Sequence, residues 1–178
     1  TYEGTPASML QFEPKALIVN SFSKYWSMAG WRLGWLILPL DQVPQARARV
    51  GNLFLTPATL SQHAGLIAMD QTEELEGHIE VYRTNRQLML DALPAMGLRS
   101  IAPPDGAFYI YADIGHLTDD SISFCEELLR ETGVATAPGV DFDPVNGHRF
   151  IRFSFAASTD LVKEALPRVQ PFFAAKAS

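Results

Sequence analysis

A single lysine stands among small hydroxylated residues, directly after an apolar run. The run, Ala16 to Val19, is typical of a buried strand. Ser21, Ser23 and Lys24 follow it, and Arg32 comes eight positions after the lysine. A lysine amine can form a Schiff base with an aldehyde, while hydroxyls and a guanidinium can hold a phosphate. These residue types in this order therefore suit a ligand that carries both an aldehyde and a phosphate.

The stretch from residue 21 to residue 34 resembles the lysine signature of class I and II aminotransferases, fold-type I enzymes that depend on pyridoxal 5'-phosphate. The positions that this signature constrains are occupied by Ser21, Phe22, Ser23, Lys24, Ser27, Met28, Gly30, Arg32, Leu33 and Gly34. With so many constrained positions, the match is far more specific than a lone glycine motif. The resemblance implies that Lys24 carries the cofactor and that Ser21 and Arg32 bind its phosphate, with Ser23 as a further phosphate candidate.

Three motifs in the second half of the chain also resemble this family. Residues 106–109 match its "GAFY" strand, and residues 138–142 match its "PG..F" turn. Residues 150–154 match the strand that supplies the arginine for the substrate carboxylate, which implies that Arg152 has this role. Arg149 is the surface alternative. Many members have a glycine after the phenylalanine of the turn, whereas Asp143 and Pro144 follow here, so the local loop geometry is expected to differ.

Composition and charge narrow the class of protein. The chain has 178 residues, of which 47% are hydrophobic and 19% are charged, as in an ordinary globular protein with a real core. The net charge of −6 argues against a nucleic-acid partner. No apolar run approaches the ~20 residues of a membrane span. The single cysteine, Cys125, is expected to be a small core residue, and these features suit the cytoplasm. The four histidines lack the spacing of a metal site.

Periodicity and turn signals predict an alternation of strands and helices. Strands are predicted over residues 16–20, 33–38, 98–101, 107–112, 134–136 and 148–155, the first two of them buried. Helices are predicted over residues 42–51, 58–70, from 72 to near 97, 121–132 and 158–173. The order of the second half predicts a sheet with helices on one side, an α+β layer.

The resemblance also implies a domain organisation. Residues 1–71 would be the C-terminal part of the large cofactor-binding domain, residues 72–97 a bridging helix, and residues 98–178 a small C-terminal α/β domain. The chain begins with Thr1 and not with methionine. The aspartate and tyrosine that the family places in its N-terminal half have no counterpart here. We therefore expect the C-terminal half of a fold-type I enzyme, inactive by itself.

The expected reaction is transamination between an amino acid and a 2-oxo acid, in a homodimer. Two alternatives stay open: a cofactor-binding sensor domain of a transcription regulator, and another fold-type I reaction such as elimination or cyclisation. The side-chain specificity cannot be predicted. Trp26, Trp31 and Trp35 are expected to pack in the protein and not to stack on the cofactor. Tyr109 and Tyr111 are expected nearer to the core than to the substrate.

Overall fold

The structure is a computed structural model that describes residues 1–177. It divides into two compact units. We name Thr5–Gly77 the lysine unit, because it carries Lys24. Thr1–Gly4 together with His78–Ser178 form the arginine unit, which carries Arg152.

The lysine unit contains a two-stranded antiparallel sheet. Strand β1 (Ile18–Ser21) pairs with strand β2 (Gly34–Ile37), so both predicted strands exist. The prediction that they are buried is wrong for this chain, because Val19 is 76% exposed and Leu36 is 53% exposed. An apolar strand is buried only if other elements cover its faces, and each of these strands is hydrogen-bonded only to the other within residues 1–177.

The helices of the lysine unit follow the predicted segments. Helix α1 spans Val43–Leu53 and helix α2 spans Thr59–Ala68, close to the predicted ranges 42–51 and 58–70. Pro44 lies in the first turn of α1, where a missing N–H costs no helical hydrogen bond. Three short 3-10 helices complete this unit: Met9–Gln11, Ala29–Trp31 and Leu40–Gln42.

Helix α3 (Thr72–Ala92) crosses the boundary between the units at residues 77 and 78. It continues as a 3-10 helix over Leu93–Met96 and ends at Gly97, whose φ of 87° favours glycine. Both the long helix and its end near residue 97 are confirmed. In the arginine unit this helix buries Asn85, whose amide donates to the carbonyls of Phe155 at 3.1 Å and Ala157 at 2.8 Å.

The arginine unit has a three-stranded antiparallel sheet in the order β3, β5, β4. Strand β3 is Tyr109–Asp113, β4 is Ala137–Pro138 and β5 is Phe150–Ser154. The strands predicted over 107–112 and 148–155 are thus confirmed. The strand predicted over 134–136 is displaced, because pairing with β5 begins only at Ala137.

A strand over residues 98–101 was predicted wrongly. Only one bridge forms there, between Ile101 and Ala112. Pro103 and Pro104 follow after Ala102, and a proline has no N–H with which to extend the ladder.

Helices α4 (Ser121–Thr132) and α5 (Thr159–Lys176) confirm the last two predicted helices. They pack against the sheet face that carries Ile151 and Phe153, and the ring of Phe153 lies 6.3 Å from that of Phe173 on α5. Cys125 is buried in this core, as expected. Two further 3-10 helices, Gly139–Asp141 and Gly147–Arg149, lie between β4 and β5.

Candidate active site

The loop between β1 and β2 is closed by hydrogen bonds at its base. Ser21 lies opposite Gly34 in the strand register, and the next residue, Phe22, donates its N–H to the carbonyl of Leu33 at 3.1 Å. The N–H of Met28 returns to the carbonyl of Phe22 at 3.2 Å. The residues just after β1 and just before β2 are therefore held beside each other, although they are far apart along the loop.

An aromatic cluster of Phe22, Trp26 and Trp35 stabilises the loop. The buried ring of Phe22 lies 4.9 Å from that of Trp26 and 5.1 Å from that of Trp35, and the two tryptophans are 5.6 Å apart. Trp26 and Trp35 thus pack as expected. Trp31 lies outside this cluster and is exposed, so the packing expectation fails for it.

Two hydroxyls and the lysine share one turn of this loop. The hydroxyl of Ser21 donates to that of Ser23 at 2.8 Å, and the Ser23 N–H donates to the Ser21 oxygen at 3.0 Å. Lys24 follows and is exposed, and its carbonyl accepts from the N–H of Ser27 at 3.0 Å. The next residue, Tyr25, donates its hydroxyl to Glu76 at 2.6 Å, and this hydrogen bond raises the pKa of Tyr25.

Two residues of the loop have a left-handed backbone without being glycine. Ser27 has a φ of 54° and Arg32 a φ of 52°. Such conformations cost about 1–3 kcal/mol and are found preferentially at functional sites. The guanidinium of Arg32 donates to the carbonyl of Ala29 at 2.9 Å and is exposed. The positive φ of Arg32 therefore marks this loop as a candidate functional segment.

The two glycines of the lysine motif, Gly30 and Gly34, have different steric surroundings. A Cβ on Gly34 would lie 2.5 Å from the carbonyl oxygen of Asn20, so only glycine allows this strand approach. A Cβ on Gly30 would meet nothing within 4 Å. Packing among the described residues therefore explains why residue 34 is glycine, but it does not explain the glycine at position 30.

The chemistry of this donor set fits a phosphate with an adjoining aldehyde. Ser21 and Ser23 offer neutral hydroxyls, Arg32 a planar cation and Lys24 a primary amine, all from one loop closed at its base. Four of the five predicted site residues therefore lie on this one loop. The fifth, Arg152, belongs to the arginine unit.

Arg152 lies on the central strand β5, opposite Tyr111 of β3 and Ala137 of β4. Its guanidinium carbon lies over two aromatic rings, 4.3 Å from the centre of Tyr109 and 4.1 Å from the centre of Phe142. The Nε atom is enclosed and has no hydrogen-bond partner. Within residues 1–177 the guanidinium forms neither a hydrogen bond nor an ion pair.

Sequence reasoning missed both aromatic neighbours. Tyr109 was expected near the core, yet it lies half-buried on the arginine side of the sheet. Phe142 was noticed only as part of the turn motif. The alternation of the two strands could have suggested Tyr109, because residues diagonal to each other in neighbouring strands lie within reach of long side chains. No local signal pointed from Phe142 to Arg152.

The turn that carries Phe142 is closed tightly. A Cβ on Gly139 would lie 2.5 Å from the carbonyl oxygen of Gly147, so two backbone segments touch there. The N–H groups of Phe142 and Asp143 both donate to the Gly139 carbonyl at 2.9 Å. The turn therefore fixes the position from which the Phe142 ring extends.

Asp143, the departure from the family pattern, shapes the rest of this loop. Its carboxylate accepts from the N–H groups of Val145 at 2.9 Å and Asn146 at 3.0 Å. The hydrogen bonds from Asn146 and Val145 lower the pKa of Asp143. A side chain that bonds to the backbone two and three residues ahead stabilises a turn, so this aspartate fixes the local geometry of the loop.

Arg149 has a different environment from Arg152. It is half-exposed, and its terminal nitrogen lies 2.6 Å from the carboxylate of Asp113. Burial alone would raise the pKa of Asp113, but the N–H of Gly115 and the Arg149 guanidinium outweigh it and lower that pKa. Arg149 is therefore engaged in an ion pair on the surface.

Metal sites and membrane-spanning helices are both absent from residues 1–177. No group of three or more histidine, cysteine, aspartate or glutamate side chains converges as a metal site would require. No described helix is long and apolar enough to cross a membrane.

Comparison with known proteins identifies the relatives of this chain. Residues 2–169 match the family described as aminotransferase class I and II. The valine–pyruvate aminotransferase of Mycobacterium tuberculosis is 44% identical over 172 residues, which cover 94% of this chain and 44% of that protein. The aspartate/prephenate aminotransferase of Thermus thermophilus is 37% identical, over 94% of this chain and 43% of that protein.

Solved structures agree with the sequence relatives. The crystal structure of an aminotransferase from Mycobacterium tuberculosis has a TM-score of 0.93 and 43% identity, covering 96% of this chain and 45% of that one. The fold is therefore that of the fold-type I aminotransferases. The chain spans less than half of the length of these relatives.

Proposed function

The chain belongs to the class I and II aminotransferase family, and we propose that the full-length protein transfers an amino group between an amino acid and a 2-oxo acid with pyridoxal 5'-phosphate as cofactor. Members of this family are generally dependent on that cofactor. One observation carries the proposal: Lys24 follows a pair of hydroxyls 2.8 Å apart on a loop that hydrogen bonds close at its base.

The residues of the lysine loop have distinct proposed roles. The hydroxyls of Ser21 and Ser23 and the guanidinium of Arg32 hold the cofactor phosphate, since hydroxyl donors and a planar cation match its oxygens. Lys24 anchors the cofactor through its amine and moves the proton of the substrate α-carbon. When bound, the cofactor supplies the aldehyde and the electron sink that side chains lack.

Arg152 is proposed to bind the α-carboxylate of the substrate. Its guanidinium has no acceptor among the described residues, so a bound carboxylate would pair N–H groups that the described residues leave unpaired. A carboxylate can accept two parallel hydrogen bonds from one guanidinium.

The proposed setting of this activity follows from the family. Residues 1–71 are assigned to the large cofactor-binding domain, 72–97 to the bridging helix and 98–178 to the small domain. We propose that this chain, inactive alone, is the C-terminal half of a cytoplasmic homodimer. The exposed apolar side chains of the lysine unit support a further covering segment or subunit, because large exposed patches mark interaction surfaces.

Two other functions remain as outcomes of the test. A sensor domain of a transcription regulator would bind the cofactor on Lys24 without turnover. Another fold-type I enzyme would consume an amino acid without aminating the 2-oxo acid. Both keep the lysine loop, so only the reaction products distinguish them from transamination.

The test is an assay of the full-length protein, in its natural length, with a panel of amino donors and 2-oxo acids. The panel includes valine with pyruvate, and aspartate, because relatives bear these names. We expect a new amino acid to form, Lys24→Ala to abolish turnover, and Lys15→Ala, a change of an exposed lysine in the same unit, to leave it intact. Wild-type turnover by Lys24→Ala would contradict the proposal.

The carboxylate role has its own arm in this assay. Arg152→Lys keeps the charge but loses the planar fork, so we expect the KM of the amino donor to rise about 10- to 100-fold. An unchanged KM would contradict the assignment of Arg152 and leave that of Lys24 in place.

A further inference from the structure

We propose that Tyr109 and Phe142 act as an aromatic clamp, a pair of positioning residues that fix the Arg152 guanidinium so that only its nitrogen edge can meet the substrate carboxylate. This inference rests on the carboxylate role proposed above for Arg152. It assigns a function to two side chains that are not among the predicted site residues.

The first half of the clamp is a consequence of strand pairing. Tyr111 lies directly opposite Arg152, and Tyr109 lies two residues further along β3, opposite Ser154. The long arginine side chain reaches diagonally across the sheet, and its guanidinium carbon comes within 4.3 Å of the Tyr109 ring centre. Tyr111 is used otherwise, because its ring stacks on Phe150 at 4.8 Å with an interplanar angle of 6°.

The second half comes from the turn after β4. The ring of Phe142 is 49% exposed, and its centre lies 4.1 Å from the guanidinium carbon of Arg152. The turn below it is set by the close contact of Gly139 with Gly147 and by the carboxylate of Asp143. A half-exposed aromatic ring on a rigid turn contributes little to a core, so its contact with the cation is the interaction that its position favours.

Two rings on one guanidinium restrict how a ligand can approach. A guanidinium is planar and its donors lie in that plane, whereas both rings occupy positions within the ~6 Å range of cation–π attraction. In the proposed clamp the rings cover the faces of the guanidinium, and acceptors come to its edge, where a planar carboxylate fits with two parallel bonds.

Arg149, just before β5, has a different set of neighbours from Arg152. It is paired with Asp113 at 2.6 Å, whereas Arg152 has aromatic neighbours and no carboxylate partner among residues 1–177. An internal carboxylate would compete with a substrate for the guanidinium. Aromatic rings hold the cation and leave its hydrogen bonds unused, which is the arrangement that a carboxylate-binding site requires.

The test compares Phe142→Leu and Tyr109→Leu with the ring-preserving Phe142→Tyr and Tyr109→Phe in the full-length protein. Leucine keeps apolar bulk but loses the aromatic face. We expect each leucine variant to raise the KM of the amino donor about threefold to tenfold with kcat within twofold, and the ring-preserving variants to stay near wild type. Val145→Ala, on the same turn, is the matched control and should change neither constant.

A binding measurement independent of turnover accompanies the kinetics. The Kd of pyruvate and of 2-oxoglutarate is measured by calorimetry for each variant and for Arg152→Ala, with thermal unfolding to show that the variants remain folded. We expect the leucine variants to weaken binding by the same factor as the KM, and to have no further effect when Arg152 is already alanine.

Three results would overturn the clamp, and they can be told apart. If Arg152→Ala weakens binding but the leucine variants do not, the clamp is wrong and the carboxylate role stands. If Arg152→Ala leaves both KM and Kd unchanged, the carboxylate role fails and the clamp fails with it. A fall in kcat in the leucine variants with constant KM would also contradict a positioning role in substrate binding.

Discussion

The arginine unit and the lysine unit use their apolar residues in opposite ways. All the large apolar side chains that are fully buried belong to the arginine unit: Phe155, Phe173, Leu93, Leu98, Ile110, Ile114, Leu128 and Ile151. The lysine unit buries only Phe22, Met28 and Leu75 among its described apolar residues. It leaves other apolar side chains at the surface, and Leu40 is 90% exposed.

This difference affects how the proposed carboxylate-binding and cofactor-binding residues are positioned. The arginine unit has a core of its own, so the aromatic clamp and Arg152 are positioned by packing within the chain. In the lysine unit, the loop is ordered locally by the Phe22 cluster and by the β1–β2 pairing. The open apolar face of its sheet is consistent with our proposal that the cofactor site is completed by further protein.

Truncating one leucine in each unit tests this contrast in burial, and it should give the largest effect. Leu128 is fully buried, whereas Leu36 is 53% exposed. In the 178-residue chain we expect Leu128→Ala to lower the free energy of unfolding by about 2–5 kcal/mol and Leu36→Ala to change it by less than about 0.5 kcal/mol. Urea unfolding measures both.

Equal losses in the two variants would contradict the contrast between the units. Measuring Leu36→Ala and Leu128→Ala in the full-length protein tests whether further protein covers the lysine unit. If further protein covers the sheet, Leu36→Ala becomes costly there while Leu128→Ala keeps its value.

A second test concerns the local order of the lysine unit. Gly34→Ala forces a Cβ to within 2.5 Å of the Asn20 carbonyl, whereas Gly30→Ala meets nothing within 4 Å. We expect Gly34→Ala to destabilise the strand pair by about 1–3 kcal/mol and Gly30→Ala to have little effect. Hydrogen exchange of the β1 and β2 amides measures the loss. Equal protection in the two variants would show that the loop is not held by this strand approach.

The smallest expected effect is electrostatic and belongs to the arginine unit. The pKa of Asp113 is lowered in the folded state, so the unfolded chain binds its proton first as the pH falls. The stabilisation by this carboxylate is complete above its unfolded pKa of about 4 and is lost as the pH falls through the lower folded pKa.

Asp113→Asn should therefore cost up to about 1 kcal/mol at neutral pH, and less as the pH falls below about 4. Urea unfolding of both chains across this pH range checks the prediction. Glu164→Gln, in the exposed pair of Glu164 with Arg168 at 3.3 Å, is the control and should cost less. A penalty for Asp113→Asn that grows on acidification would have the wrong sign.

The sequence was most informative where a pattern and its structural cause are both local. The alternation around Arg152 predicted β5, because Ile151 and Phe153 face the core while the arginine faces away. The lysine motif predicted the loop between β1 and β2, because its Gly34 is needed where the two strands approach each other closely. Helix bounds were predicted well for the same reason: caps such as Asp120 act within a few residues.

Most of the failures have a non-local cause. Apolar strands were predicted to be buried, but burial depends on what covers Val19 and Leu36 and not on the strands themselves. The missing strand near Ile101 is the exception, because Pro103 and Pro104 lie in the same segment. The clamp joins Tyr109, Phe142 and Arg152, three residues that only the folded sheet and turn bring together.

The most direct measurement of the central claim is chemical trapping of the cofactor on the full-length protein. The protein is incubated with pyridoxal 5'-phosphate and reduced with borohydride, and the labelled peptides are identified by mass spectrometry. This chain has four lysines, so its labelled position can be assigned uniquely. We predict one dominant label on Lys24. A label on Lys15, Lys163 or Lys176, or turnover with no label on Lys24, would contradict it.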